Sequence, residues 1–322
     1  MSLATAVGLV LVGLLLLAGG GELLVRGATA LARLAGVTPA VIGLTIVAIG
    51  TSLPELVVSL LAAAQHQPDI AVANVVGSNI FNIVGILGVT ALIVALPVHG
   101  SAVRLEWPFM FGVSAALVVF SRDGLLDRFE GGLMLGAFTL FTWYMIRLAR
   151  AEFRQAERRE FETESVRRSI RGPLAAVPVA LLAVAGGLAL LVGGARALVD
   201  GAVELARLAG MSERVIGLTV VAIGTSMPEL AASTVAAVRG RTDVAVANLI
   251  GSNIFNILGI LGVTALYHPV PVAEALRNSD MVWMMVTALA LFPILRSGGR
   301  VSRLEGAFLL GMYVVYLVLL IR

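Results

Sequence analysis

Two glutamates lie inside apolar segments of the chain, and each one ends a copy of the same short motif. Glu55 closes the run G-T-S-L-P-E at 50–55, and Glu229 closes the run G-T-S-M-P-E at 224–229. The run G-S-N-I-F-N follows in both copies, at 77–82 and at 251–256. An ionised carboxylate in apolar surroundings requires a compensating partner. A carboxylate that is duplicated together with its neighbours therefore predicts a functional site.

The proline beside each glutamate predicts a break in the helix. Pro54 has no N–H and displaces the carbonyl of Gly50, and Pro228 does the same to the carbonyl of Gly224. Broken backbone at membrane depth is tolerated where it lines a cavity, so we expect a polar chamber. Spacings of three and four residues place hydroxyl groups on the carboxylate's side of each helix. These hydroxyls belong to Thr51 and Ser52 in the first copy and to Thr225 and Ser226 in the second.

The polar groups of both motif pairs offer oxygen as a ligand. In the span after each glutamate, Ser78 precedes Asn82 by four residues, and Ser252 precedes Asn256 by four. Oxygen ligands suit hard cations such as Ca2+ and, by the same logic, Na+. Two ionised glutamates in a low dielectric repel each other, and one Ca2+, two Na+ or two protons would neutralise them. The three histidines fall near span ends, which argues against a nitrogen-ligated transition metal.

The composition is that of an integral membrane protein. The chain is 59% hydrophobic and 13% charged, with a mean hydropathy of +0.98, far from the roughly 25% charged residues of soluble domains. The first apolar run lacks a basic leader, and we interpret it as a retained helix. In a membrane protein the distribution of Arg reports orientation, so the positive net charge does not indicate an acidic partner. The expected partners are lipid and small cations, with no nucleic acid. The oligomeric state is left open.

Ten apolar segments are candidates for membrane spans, five in each half. They cover about 3–33, 39–64, 70–96, 103–120, 126–148, 174–207, 213–238, 244–267, 279–296 and 302–321. Five crossings invert the second half, which predicts an all-α membrane protein of two inverted-topology repeats, 1–148 and 174–322, with a shared site near the midplane. The linker 149–173 is hydrophilic. Because 147–171 holds eight Arg and five Glu, we expect this loop to be cytoplasmic and both termini extracytoplasmic.

The paired motifs, the ten-span plan and the central loop resemble the calcium/cation antiporter superfamily, most closely its prokaryotic sodium/calcium exchanger branch. The resemblance implies alternating access, in which the first and sixth helices slide over the other eight. It also implies that ion sites are lined by the side chains of Thr51, Ser52, Glu55, Ser78, Asn82, Thr225, Ser226, Glu229, Ser252 and Asn256, with the carbonyls of Ala48 and Ala222. Well-known sodium/calcium members have Asp where this chain has Asn256. That difference leaves Na+ and H+ open as the driving ion.

The leading functional hypothesis is a secondary antiporter that exports Ca2+ in exchange for Na+, without a cofactor. A proton/Ca2+ antiporter on the same fold is the alternative, although the proton branch usually reads G-N where this chain reads G-T-S. An intramembrane hydrolase is disfavoured because no His or Lys base lies near the motif serines. A cation channel is disfavoured because five-span inverted halves suit rocking or sliding. The sequence therefore does not indicate an enzyme.

Several other polar residues have structural explanations. Asn79 and Asn253 are expected to pin a helix break rather than touch an ion, and Asn74 and Asn248 to pack helices together. The opposite charges of Glu22 and Arg26 at four-residue spacing predict a self-neutralising pair, and Arg196 with Asp200 predicts another. The glycines at 19–21 and 193–194 predict close helix packing or a sliding surface.

Overall fold

The computed structural model describes residues 2–64, 68–98, 100–162, 176–210 and 222–321. Within these ranges nearly all of the chain is helical, which confirms an all-α membrane protein. The first half contains α1 (Leu3–Ala35), α2 (Pro39–Thr51), α3 (Leu53–Ala64), α4 (Pro68–Ile80 continued by Phe81–Ile86 and Leu87–Ile93), β1 (Leu96–Pro97), α5 (Ala102–Glu106 continued by Trp107–Phe120 and Ser121–Asp123), β2 (Leu125–Leu126) and α6 (Arg128–Glu162).

The second half repeats this order. It contains α7 (Ala176–Leu208), α8 (Ala222–Thr225), α9 (Met227–Val238), α10 (Thr242–Phe255 continued by Asn256–Leu261 and Gly262–Tyr267), β3 (Val270–Pro271), α11 (Leu276–Asp280 continued by Met281–Arg296), β4 (Arg300–Val301) and α12 (Arg303–Ile321).

Nine of the ten predicted spans have counterparts among the described residues. Eight are single helices long and apolar enough to cross a membrane, and α2 with α3 forms a ninth, bent by 44°. The predicted span 213–238 lies partly outside the described residues, of which only α8 and α9 belong to it. The count of ten therefore stays a prediction. Helix α6 runs on to Glu162, past the predicted span end at 148.

The two halves are joined reciprocally through four very short strands. Strand β1 pairs antiparallel with β4, so that Leu96 faces Val301, and β2 pairs with β3, so that Leu126 faces Val270. Strands β1 and β3 hold equivalent positions in the two repeats, as do β2 and β4. Each two-stranded sheet therefore contains one strand from each half, an arrangement with approximate two-fold symmetry.

Helices α4 and α10, which carry the G-S-N-I-F-N motifs, are the most buried of the eight described single-helix spans. The outer helices instead expose large apolar side chains such as Leu15, Leu182 and Leu304, as expected of surfaces that face lipid. Polar groups placed on α4 and α10 are thereby removed from lipid and must find partners inside the protein.

Helices α1 and α7 pack along a seam of glycines. Gly13, Gly20 and Gly27 of α1 recur every seven residues and lie opposite α7, whose glycines Gly187, Gly194 and Gly201 have the same spacing. A Cβ built on Gly20 would lie 2.9 Å from the carbonyl oxygen of Gly187, and one on Gly13 would lie 2.8 Å from that of Gly194. The numbers run in opposite directions, so the helices are antiparallel. Their backbones touch, which confirms the close packing predicted from the glycine runs.

The α1–α7 pair packs unequally on the two glutamate-bearing helices. On α9, Ala231 and Val235 contact Gly21 of α1, where a Cβ would lie 3.2 Å from Cβ of Val235. The equivalent residues of α3, Val57 and Leu61, are 49% and 54% exposed. The outer pair therefore covers the second repeat's helix and leaves the first repeat's helix uncovered.

Candidate cation-binding site

Both motif segments break at the serine that lies two residues before the proline. Ser52, with φ −86° and ψ 10°, separates α2 from α3, and Ser226, with φ −91° and ψ 12°, separates α8 from α9. Each proline falls in the first turn of the helix that follows, where its missing N–H costs nothing within that helix. The predicted helix breaks are therefore confirmed.

The two glutamates are bonded across the repeats. Ser52 Oγ donates to Glu229 Oε1 at 2.7 Å, and Ser226 Oγ donates to Glu55 Oε1 at 3.0 Å. The sequence placed each hydroxyl on the carboxylate's side of its own helix and named no partner for it. Each serine bonds the glutamate of the other repeat, because the helix breaks at that serine. The crossed bonds make the two motifs one site.

Both carboxylates are 1% exposed, and each keeps one oxygen unbonded. Glu55 Oε2 and Glu229 Oε2 have no hydrogen-bond partner among the described residues. The two carboxylates are close enough to interact electrostatically, and the Thr51 hydroxyl also lies beside Glu229. If both are ionised, two negative charges meet in a low dielectric, where repulsion is strong and a cation is strongly bound.

The asparagines of the second motif are also bonded across the repeats. Asn82 Nδ2 donates to Asn253 Oδ1 at 3.0 Å, and Asn256 Nδ2 donates to Asn79 Oδ1 at 3.0 Å. The Oδ1 atoms of Asn82 and Asn256 are buried and have no partner in the described part of the chain. Both site amides therefore present oxygen as the unbonded atom.

The remaining predicted residues differ in accessibility. Thr51, Ser78 and Ser252 are buried, and Ser252 Oγ has no partner within the described ranges. Thr225 is half-buried. The Ala48 carbonyl accepts from the backbone N of Ser52 at 3.1 Å and faces Thr51 Oγ1 at 3.4 Å, so in this conformation it takes part in the helix. Ala222 begins α8.

Five buried oxygens of the predicted site residues, from two carboxylates, two amides and one hydroxyl, thus lack hydrogen-bond partners among the described residues. Buried polar atoms are normally paired, and a set of unpaired oxygens suits a hard cation, since Ca2+ takes roughly six to eight oxygen ligands. No group of three or more His, Cys, Asp or Glu side chains able to hold a metal occurs in the described residues. The donor set is therefore that of an oxygen-ligated, weakly charged site.

Two serine–asparagine pairs support the glutamate helices from behind. Asn74 Nδ2 donates to the Glu55 carbonyl at 3.2 Å and to Ser59 Oγ at 3.1 Å, and Asn248 Nδ2 donates to Ser233 Oγ at 3.0 Å. The packing role predicted for Asn74 and Asn248 is confirmed. The serines were missed, although the recurrence of a Ser fifteen residues before an Asn in both copies was a usable signal.

A π-helical turn occurs at the asparagine motif in each repeat, over Phe81–Ile86 and Asn256–Leu261. Such turns widen the helix by one residue and are frequent at functional sites. They direct Asn82 and Asn256 inward. Nothing in the residue types of these segments separates them from an ordinary α-helix, so the sequence did not predict them.

Comparison with known proteins places the chain among ion exchangers. The family model described as sodium/calcium exchanger protein matches residues 5–147 and again 179–322. The chain is 39% identical to the inner membrane protein YrbG of Escherichia coli, over 99% of this chain and 97% of the relative. It is 32% identical to the sodium/calcium exchanger MaX1 of Methanosarcina acetivorans, over 97% of each.

Solved structures of the sodium-calcium exchanger NCX_Mj are similar over their whole length. The structure soaked with 10 mM Na+ and zero Ca2+ has a TM-score of 0.83 and 30% identity, covering 98% of this chain and 99% of the other. The structure soaked with 2.5 mM Na+ and 0.1 mM Ca2+ has a TM-score of 0.80, 30% identity and 97% coverage of both chains.

Proposed function

The chain belongs to the sodium/calcium exchanger protein family, and on that premise we propose that it is a secondary antiporter that exchanges Na+ for Ca2+ across the membrane. The observation that carries the proposal is the pair of crossed bonds from Ser52 to Glu229 and from Ser226 to Glu55. One site built equally by two repeats can bind the same ions from either side of the membrane.

The ligands are the residues that the sequence predicts. Glu55 and Glu229 supply the charge, and the other ligands are neutral: the side chains of Thr51, Ser52, Ser78, Asn82, Thr225, Ser226, Ser252 and Asn256, and the carbonyls of Ala48 and Ala222. Such a mixture suits alternate occupancy by Ca2+ and Na+, since both are hard cations that prefer oxygen. No cofactor is required, because the cations are the substrates.

Alternating access is the proposed transport cycle. Its support is that the α1–α7 pair covers α9 and leaves α3 exposed. Approximate two-fold symmetry allows the reverse arrangement, with α3 covered and α9 exposed, as the second state of the cycle. Ten crossings as two inverted five-span repeats, a cytoplasmic loop at 149–173 and extracytoplasmic termini complete the proposal. A single Cys placed in this Cys-free chain and labelled with an impermeant reagent on intact cells tests the orientation. Labelling of the loop but not of the termini would reverse it.

A proton/Ca2+ antiporter is the second candidate. It is favoured by one observation: among the described residues, only two carboxylates meet at the site. Asn256 also stands where well-known sodium/calcium members of the resembled family have Asp. Two protons would neutralise the pair as two Na+ would. Against it stand the hydroxyls and amide oxygens around the carboxylates, which can coordinate Na+ and hold no titratable group.

Tracer Ca2+ uptake into proteoliposomes tests the driving ion. Vesicles loaded with Na+ are diluted into Na+-free buffer at equal pH, with the potential clamped by an ionophore, and a second set receives a pH step without Na+. We expect uptake in the first set only. Uptake in the second set alone would replace the sodium exchanger by the proton exchanger, and uptake that follows neither gradient would point to a channel.

A further inference from the structure

Four asparagine amides form two short hydrogen-bonded chains between α4 and α10, directly beside the candidate site. Asn79, Asn82, Asn253 and Asn256 are each at most 1% exposed. Resting on the proposed cation transport, we propose that Asn79 and Asn253 are positioning residues: they turn the amides of Asn256 and Asn82 so that oxygen, and not nitrogen, faces the transported cation.

The direction of the first chain is fixed at a backbone carbonyl. Asn79 Nδ2 lies 3.2 Å from the carbonyl oxygen of Asn253, which can only accept a hydrogen bond. The nitrogen of Asn79 must therefore face that carbonyl, and its Oδ1 must face Asn256. An amide oxygen in that place requires a donor, so Asn256 presents Nδ2 to Asn79 at 3.0 Å and keeps Oδ1 for the site.

The second chain is anchored less firmly. Asn253 Oδ1 accepts from Asn82 at 3.0 Å, but Asn253 Nδ2 reaches only the Sδ atom of Met110, at 3.5 Å. A thioether sulfur is a weak acceptor. Reversal of the Asn253 amide would thus forfeit one weak bond, whereas reversal of the Asn79 amide would forfeit a bond to a carbonyl. A small cavity of about 10 Å³ borders Asn82, Asn253 and Met110.

The orientation matters because the two ends of an amide are opposite for a cation. Oδ1 carries the lone pairs that coordinate Ca2+ or Na+, whereas Nδ2 carries only N–H donors that would repel the ion. A site with two carboxylates depends on its neutral oxygens for the rest of the coordination. Loss of the positioning bond should therefore weaken cation binding while leaving the conformational cycle intact.

A double-mutant cycle tests whether Asn79 acts through Asn256. The variants are Asn79→Ala, Asn256→Ala and the double variant, with KM and maximal rate measured from Ca2+ uptake in proteoliposomes. We expect Asn79→Ala to raise KM for Ca2+ about fivefold, the worth of one hydrogen bond, with the maximal rate within about twofold of wild type. In the Asn256→Ala background, Asn79→Ala should change KM no further.

The matched control is the crossed cycle of Asn79→Ala with Asn82→Ala, whose effects on KM should multiply. Asn253→Ala should raise KM less than Asn79→Ala. An equal rise in KM from Asn79→Ala in the wild-type and Asn256→Ala backgrounds would overturn the positioning role, as would an unchanged KM in Asn79→Ala. If the alanine variant does not fold, Asn79→Leu keeps the number and branching of the side-chain heavy atoms, removes the hydrogen-bonding groups and carries the same test.

Ca2+ binding to the purified wild-type protein, measured by calorimetry, separates the two proposals. Wild-type protein that neither binds nor transports Ca2+ would overturn the proposed function. Wild-type protein that does both, combined with an uncoupled Asn79–Asn256 cycle, would overturn the positioning of the amides alone.

Discussion

Helices α3 and α9 hold equivalent positions in the two repeats and differ in what lies on them. Their glutamates are equally buried and receive equivalent serine bonds. Yet α1 packs on α9 through Gly21, and Glu22 of α1 bonds Arg239 just beyond α9, while Val57 and Leu61 of α3 stay exposed. The carboxylate site is nearly symmetric, whereas the packing of the α1–α7 pair on α3 and α9 is not. Chemistry duplicated in sequence can therefore serve two states, because only the packing around it must change.

Removal of one carboxylate tests whether Glu55 and Glu229 form a single site. Glu55→Gln and Glu229→Gln should each lower Ca2+ transport by more than about 100-fold, since breaking a buried charge pair costs about 3–5 kcal/mol. Proteoliposome uptake measures the loss. Glu130→Gln is the control and should transport normally; the Glu130 carboxylate accepts from the backbone N of Asp127 at the start of α6. Near wild-type exchange by either site variant would end the shared-site interpretation.

Overpacking of the glycine seam tests whether the cover must stay closely packed. Gly20→Ala and Gly194→Ala put a Cβ 2.9 Å from backbone or Cβ atoms of the opposite helix, and each should lower the free energy of unfolding by about 1–3 kcal/mol. Gly19→Ala and Gly193→Ala are matched controls, because nothing described lies within 4 Å of their new Cβ atoms. Denaturant titration in detergent measures the difference. Equal destabilisation at all four positions would remove the seam as the cause.

Introducing an acid at each site asparagine sharpens the difference between the two amide chains. Asn82→Asp should be tolerated, because the Asn253 amide can reverse and donate to the new carboxylate. Asn256→Asp should raise KM for Ca2+ several-fold more, since Asn79 would present an oxygen to it and is held by the Asn253 carbonyl at 3.2 Å. Uptake kinetics at constant pH compare them. Identical KM values would show that the two chains are equivalent.

Removal of the ion pair between Glu22 of α1 and Arg239, just beyond α9, should have the smallest effect on Ca2+ transport. Glu22 Oε1 and Oε2 lie 2.6 Å from Arg26 Nε and Arg239 Nε respectively, and the arginines are largely exposed. The pair of Glu22 with Arg26 is as predicted. Exposed pairs contribute at most about 1 kcal/mol, so Arg239→Gln should shift apparent Ca2+ affinity by less than about fivefold.

That shift should have opposite signs for Ca2+ offered from the two sides of the membrane and should shrink at high salt, because one state alone contains the bond. The equivalent positions are held by Arg196 in the second repeat and Gln65 in the first, so the reverse arrangement cannot form the same pair. A shift of equal sign from both sides would contradict a role in one state.

The chemistry of the site was readable from sequence because residue types carry it. Glu55, its serine and its proline predict a buried acid at a helix break. The partner of each serine was not readable, since a one-residue break at Ser52 sends its hydroxyl to Glu229. The direction of the amides depends on a backbone carbonyl of another helix, which no side-chain pattern encodes. The unequal cover also escapes prediction, because two similar repeats dictate the available states and not which of them is adopted.

The glycine seam between α1 and α7 bears on whether Ca2+ can cross the protein without being exchanged. A glycine every seven residues sets a period of about 10.5 Å along each helix, so a shift by part of that period would bring glycine against bulkier residues. A shift of one helix past the other is therefore unfavourable, and in the proposed transport cycle we expect the two helices to move together. A pair that moves together would cover α3 as it leaves α9, which would keep Ca2+ from running down its gradient without exchange.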